Sequence, residues 1–155
     1  MHVDQPTTCL FCRIARGELN AHEVHASENV LAFLDLHPIR TGHVLVIPRM
    51  HFDYFDAIPP DIAHEVLDVG QRLAPALRAL TGVERVAFLF TGVDIPHAHA
   101  HLVPLVEPTD ITSRRYVVEE HVTFQGAPRA DDAELGRTAM AIRSHLDQHR
   151  SDHQV

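Results

Sequence analysis

The chain has 155 residues and a formal net charge of −8 with histidine neutral, enough length for one domain with a sizeable core and too acidic a balance for a basic nucleic-acid-binding face. No run reaches the roughly 20 apolar residues of a membrane span, and 1-MHVDQPTT-8 lacks the apolar core of a signal peptide, so the expectation is a cytoplasmic protein with neither nucleic acid nor membrane as partner. The two cysteines, Cys9 and Cys12, are too few and too close together to staple a secreted scaffold, which leaves them as thiols open to metal or redox chemistry.

In chain order, the C-x-x-C is followed by 13-RIARGE-18, which reads as a short helical turn ended by Gly17, a lead-in outside the core. The runs 30-VLAFLD-35 and 43-HVLVIP-48 are rich in aliphatic and β-branched residues, and the proline and glycine of 37-HPIRTG-42 mark a turn between them. An antiparallel strand pair is expected there. Between Asp61 and Leu80, the residues Ile62, Val66, Leu73, Leu77 and Leu80 fall near one stripe of a helix, with Pro60 suited to its first turn. Pro75 should kink or shorten that helix. Next, 86-VAFLF-90 reads as a central strand buried on both faces, 91-TGVDIP-96 as a loop, and 96-PHAHAHLVPL-105 as another strand. The loosest stretch is 107-EPTDITSRRY-116. A C-terminal helix is predicted over 131–148, with Asp131, Asp132 and Glu134 supplying charge at its start and Leu135, Ala139, Ile142 and Leu146 at helical spacing. The order of elements argues for an α+β fold with an antiparallel sheet rather than a doubly wound parallel one.

On a strand, His97, His99 and His101 share one face at about 6.5 Å spacing, while Ala98, Ala100 and Leu102 take the other. Three imidazoles in a row are hard to explain as core filling, because each buried ring nitrogen needs a partner. Two chemistries are open to them. In one, the H-x-H pair chelates a catalytic metal that lowers the pKa of a bound water. In the other, one imidazole is the nucleophile and its neighbours position the group attacked.

The segments 9-CLFCRIARGE-18, 33-FLDLHPIRTGHVLVIPRMH-51 and 97-HAHAHLV-103 together resemble the histidine triad (HIT) family of nucleotide hydrolases and transferases, over about residues 9 to 105. The resemblance implies a five-stranded antiparallel sheet with packed helices, in one domain spanning 1–155 with a C-terminal extension. It implies a homodimer joined across a two-fold axis with the 61–80 helix near the interface. It also makes His99 the nucleophile toward the α-phosphorus of a purine nucleotide conjugate, with His101 donating to phosphate oxygens or leaving group and His97 completing the triad. Asp35 matches the acid that accepts from the ribose hydroxyls, and Phe11, Ile14 and Leu36 match the apolar slot for the base.

Family members with an N-terminal C-x-x-C imply a further assignment. Carried over, Cys9, Cys12, His51 and His97 form a closed, structural zinc site beside the active site; two ordinary buried thiols are the alternative. The chain departs from the family just before the triad, where no serine or glutamine precedes His97 to hold the phosphate, leaving Thr91 and the backbone around Gly92 as substitutes. A nucleotide-binding dimer with weak catalysis is therefore a second expectation, and a metal-dependent hydrolase using the H-x-H pair a third. Of the other histidines, His43 is expected to be packed and hydrogen-bonded, His37 to line the pocket, and His145, His149 and His153 to mark the solvated C-terminal end.

Overall fold

Two strands in which every residue is buried form the spine of the sheet in the computed structural model, which describes residues 8–92, 94–111 and 126–148. These are β2 (Val30–Leu34) and β3 (Val44–Pro48), paired antiparallel from Val30 opposite Pro48 to Leu34 opposite Val44. Such complete burial requires cover on both faces, and the two-residue alternation of a strand divides it. Val30, Ala32, Leu34, Val44 and Val46 face a core built with α2 (Pro60–Thr81) and α3 (Asp132–Gln148). Leu31, Phe33, Leu45 and Ile47 face α1 (Leu10–Ala15), which contributes Phe11, Cys12 and Ile14. The segment read as a lead-in is therefore a core element. Its helix starts earlier than predicted, with Cys9 as N-cap, because the buried residues Phe11, Cys12 and Ile14 lie on both sides of Arg13.

The five-stranded antiparallel sheet has the order β1-β2-β3-β5-β4, where β1 is Glu23–Ala26, β4 is Val86–Phe90 and β5 is Ala100–Pro104. Strand β1 escaped the sequence reading because its four residues include one buried aliphatic, Val24, and its pairing slips between Glu23 and His25. The expected position of 86-VAFLF-90 is wrong. It is an edge strand, half-buried along its length, and Phe88 is 36% exposed. The inner position belongs to β5, which pairs with β3 through Leu45 opposite His101 and with β4 through Leu89 opposite the same residue. Hydrophobicity alone misassigned the two because the more polar strand is the one whose histidines meet the site.

Helix α2 runs unbroken through Pro75, contrary to the expected kink. Pro75 and Gln71, whose carbonyl it leaves without a donor, both lie on the exposed face, so water can serve that carbonyl. Leu73, Ala76 and Leu77 pin the helix on either side, and burying two leucines at about 2 kcal/mol each offsets a proline cost of about 3 kcal/mol. Leu80, in line with the stripe but at the last turn of the helix, is 39% exposed, whereas Val69 and Gly70 are buried within it. Gly70 has a specific reason to lack a side chain, since a Cβ there would stand 2.6 Å from the Phe88 ring. At the other end, Asp131 caps α3 by accepting from the backbone N–H groups of Ala133 and Glu134, a directional bond beyond the charge effect expected. His149 and His153 lie outside the described residues.

Candidate active site and metal centre

The strand ladder of β5 starts at Ala100, so His97 and His99 stand in the extended approach to it rather than within it. That approach is held by other bonds, with the Ala98 N–H donating to the Phe52 carbonyl at 2.7 Å. The alternation persists. Ala98 packs with Ile58 and Ile62, Ala100 and Leu102 join the α2 core, and the histidines face the α1 side, where the Phe11 ring stands edge-on to both His97 and His99.

His97 is fully buried and points its two ring nitrogens at different partners. Nε2–H donates to the Pro48 carbonyl at 2.9 Å, so the Nδ1 lone pair is turned into a pocket shared with Cys9 Sγ at 3.4 Å, Cys12 Sγ at 3.5 Å and His51 Nδ1 at 3.3 Å. Cys12 Sγ is also 3.3 Å from His51 Nδ1, and His51 Nε2–H donates to Asp53 Oδ1 at 2.9 Å. Both imidazoles thus have their outward nitrogen tied by a carbonyl or carboxylate, the usual support of metal-bound histidine. A tetrahedral zinc with bonds of about 2.0 to 2.3 Å sets its ligand atoms roughly 3.3 to 3.8 Å apart, which is the spacing found. Burial, reinforced by Cys9, pushes the Cys12 thiol up to about 12, and burial holds His97 down to about 4. The residues fit the ion. A divalent cation would supply the positive charge that two buried thiols need before they ionise.

His99 and His101 form the second part of the site. His99 Nδ1–H donates to the His97 carbonyl at 2.6 Å, which leaves the lone pair on Nε2. His101 Nδ1 lies 2.9 Å from His43 Nε2, and the Ile39 N–H donates to His43 Nδ1 at 3.2 Å. With that donor on Nδ1, the proton of neutral His43 sits on Nε2 and is given to His101 Nδ1. His101 consequently carries its proton on Nε2, where it donates to Thr91 Oγ1 at 2.9 Å. Desolvation by burial pushes His101 down to about 4, with His43 and His99 adding and Asp35 opposing; burial lowers His43 likewise. Asp35 is 3.6 Å from His43 Nδ1, too far for a hydrogen bond, and the bond to Ile39 decides the tautomer. Asp35, His43 and His101 do bring potential ligand atoms within 4.8 Å. The His43–His101 contact, however, is a hydrogen bond with a proton in it.

Around these groups, Asp35 Oδ1 accepts from the His37 N–H at 2.8 Å and keeps further lone pairs open. His37 Nδ1–H donates to the Ala127 carbonyl, and the Ala130 N–H donates to the Leu36 carbonyl, so the segment before α3 is tied to this corner. Phe11 and Ile14 are buried while Leu36 is 39% exposed. Gly92 has φ of +148°, outside the range of ordinary side-chain-bearing residues.

The decisive comparison is with a family model, the HIT domain, which matches residues 16–107. The chain belongs to the HIT family. The matched segment carries the triad, His43 and Asp35, while both cysteines precede it. An uncharacterised HIT-like protein of Methanocaldococcus jannaschii is 35% identical, the alignment covering 64% of this chain and 80% of the archaeal one. An adenosine 5'-monophosphoramidase of Saccharomyces cerevisiae is 30% identical over 62% of this chain and 61% of its own length. Among solved structures, a zinc-bound histidine triad family protein of Mycobacterium smegmatis matches with a TM-score of 0.73 at 28% identity, over 94% of this chain and 97% of that one.

The sequence reading of this HIT domain treated His43 as a packed residue and did not connect it to His101. Strand register held the missing signal. Leu45 faces His101 across the ladder, so residue 43, two positions away, must project on the same face. The Thr91 hydroxyl, considered as a phosphate contact, is engaged by His101. No transmembrane-length apolar helix occurs among the described residues. A titration of the imidazoles by NMR should find His101 neutral as an Nε2–H tautomer down to about pH 4; an Nδ1–H tautomer, or a midpoint near the free histidine value of about 6.5, would contradict the hydrogen-bond chain.

Proposed function

We propose that this HIT domain is a nucleotide phosphoramidase or nucleotidyl hydrolase acting at the α-phosphate through a covalent nucleotidyl-histidine on His99. The observation that carries the reading is the bond from His99 Nδ1–H to the His97 carbonyl, which presents Nε2 as a base-free nucleophile near neutral pH. In the first step the Nε2 lone pair forms a bond to the α-phosphorus while the bond to the leaving group breaks; the departing atom takes its proton from solvent, and the His101 Nε2–H hydrogen-bonds to it or to a phosphate oxygen. Water then attacks the phosphorus, the bond to Nε2 breaks, and the proton lost by the water returns to solvent as a nucleoside monophosphate leaves with His99 restored. Neutral His101 acts as a hydrogen-bond donor throughout, because its tautomer keeps the proton on Nε2. Asp35 is assigned to the ribose hydroxyls, Phe11, Ile14 and Leu36 to the base, and the backbone at Thr91 and Gly92 to the phosphate. The adenosine 5'-monophosphoramidase among the relatives supports this substrate class.

We assign a structural zinc to Cys9, Cys12, His51 and His97, supported by the donor spacing and by the zinc-bound mycobacterial relative. When bound, the ion supplies the charge that fixes the two thiolates and clips α1 to the sheet; it takes no part in the reaction. We also assign a homodimer. Its support is the open edge of β4 with exposed Phe88, and the apolar side chains of Leu67 and Leu80 that α2 leaves exposed.

His99→Asn should lower turnover of adenosine 5'-phosphoramidate and of a diadenosine polyphosphate by on the order of 10³-fold or more, and acid quench of the native protein should trap a labelled nucleotidyl adduct that the variant lacks. Turnover surviving within a few-fold sinks the reading. Nucleotide binding without any product burst would favour a non-catalytic binder, and instant loss of turnover on chelation a metal-dependent hydrolase. Metal analysis of the purified protein should give about one zinc per chain, and Cys12→Ser should lose it and melt at a lower temperature; a metal-free native protein of equal stability would remove the zinc assignment. Sedimentation at low micromolar concentration should give the mass of two chains, and Phe88→Glu that of one; a native monomer would remove the dimer.

A further inference from the structure

The loop before the triad offers one side-chain donor for a phosphate, the O–H of Thr91, whose oxygen accepts from His101; 92-GVDIP-96 has no side-chain hydroxyl or amide. Another residue reaches the same place from elsewhere in the chain. A Cβ built on Gly92 would lie 3.0 Å from Tyr54 Cε2, 3.5 Å from Tyr54 Cδ2 and 3.7 Å from His99 Cε1. The edge of the tyrosine ring and the edge of the His99 ring therefore both border the space beside Gly92. Cε2 is bonded to the carbon that bears the phenol oxygen, and Cε1 is bonded to Nε2, the lone-pair nitrogen.

Three features fix the ring there. Tyr54 stands edge-on to Phe55 at 5.2 Å, and Phe55 packs on Phe90 of β4 at 5.6 Å, so the ring is braced against the sheet. Gly92, without a side chain and at a φ open to glycine, leaves the space the ring uses. The residue is 39% exposed, and among the described residues its phenol has no hydrogen-bond partner. A phenol braced beside a nucleophile, with no hydrogen-bond partner among the described residues, has its donor open to a ligand.

We propose that Tyr54 is a substrate-contacting residue whose hydroxyl donates to a non-bridging oxygen of the phosphate held at His99, beside Thr91, the one side-chain donor of the short loop. The assignment rests on His99 being the nucleophile. The phenol keeps its proton throughout and serves the phosphate charge as it develops. Gly92 is then a positioning residue, since any side chain there would displace the tyrosine.

The test compares the native protein with Tyr54→Phe, Gly92→Ala and His99→Asn, measuring kcat/KM for adenosine 5'-phosphoramidate and calorimetric affinity for adenosine 5'-monophosphate and for adenosine. Tyr54→Phe keeps the packed ring, so folding is preserved, and melting curves check it. Expected for Tyr54→Phe is a loss of about tenfold to a hundredfold in kcat/KM, the effect of one hydrogen bond to a charged group, with weaker monophosphate binding and unchanged adenosine binding. Gly92→Ala should lose at least as much. If Tyr54→Phe stays within twofold while His99→Asn is inactive, the donor role is overturned and the nucleophile stands. Equal weakening of adenosine and monophosphate binding would reduce Tyr54 to an apolar wall and overturn the donor role too. If His99→Asn retains turnover, or the native protein shows none, the reading on which the donor role rests falls with it.

Discussion

The local order of the site hangs on residue 97. Its Nε2–H is tied to Pro48 on β3, its Nδ1 is turned to Cys9, Cys12 and His51, and its carbonyl takes the proton-bearing nitrogen of His99. Three parts of the molecule meet in one residue that has no exposed surface. The segment is also one where the regular strand ladder has yet to begin. Backbone pairing cannot hold His99 in place there, so side-chain and main-chain bonds to residue 97 do it instead.

The electrostatics of the second half of the site follow from burial. Low dielectric penalises imidazolium, and His43 and His101 are both held toward the neutral form. A neutral imidazole would lose its use as a hydrogen-bond donor to the substrate if its proton sat on the wrong nitrogen. The backbone N–H of Ile39 prevents this two residues removed, because it occupies His43 Nδ1 and so dictates where the protons of His43 and His101 lie. A main-chain amide in a turn thereby sets the chemistry of a side chain on the sheet.

The site was more legible in the sequence than the layout of the sheet was. Alternating histidines and the C-x-x-C are local patterns whose chemistry depends on residue type, whereas His51 joined them only through the family resemblance; the fold brings the four sulfur and nitrogen donors together. The antiparallel class and the α2 stripe could also be read, since period tells helix from strand. Strand order could not, because hydrophobicity reports burial and not neighbours: apolar β4 lies at the edge and histidine-bearing β5 lies inside. Strand β1 was invisible because a four-residue edge strand with one buried aliphatic carries too little pattern. The place of α1 in the core has a different reason for being hidden: six residues are too few to show a helical stripe. Tyr54 carries no local signal at all, since its neighbour Gly92 is brought to it by tertiary structure.

The two edges of the sheet are unequal. Strand β4 presents five regularly spaced residues, whereas β1 is short, slips register between Glu23 and His25, and has its Glu23 carbonyl taken by the Arg143 guanidinium from α3. A sheet with two regular edges could add copies without end, each new strand templating the next. Here one edge is spoiled by a bulge and a capping arginine, a common way of blunting an edge. In the proposed dimer, joining two β4 edges would leave only the two blunted β1 edges outermost, so the same irregularity that hides β1 in the sequence would oppose further growth of the sheet.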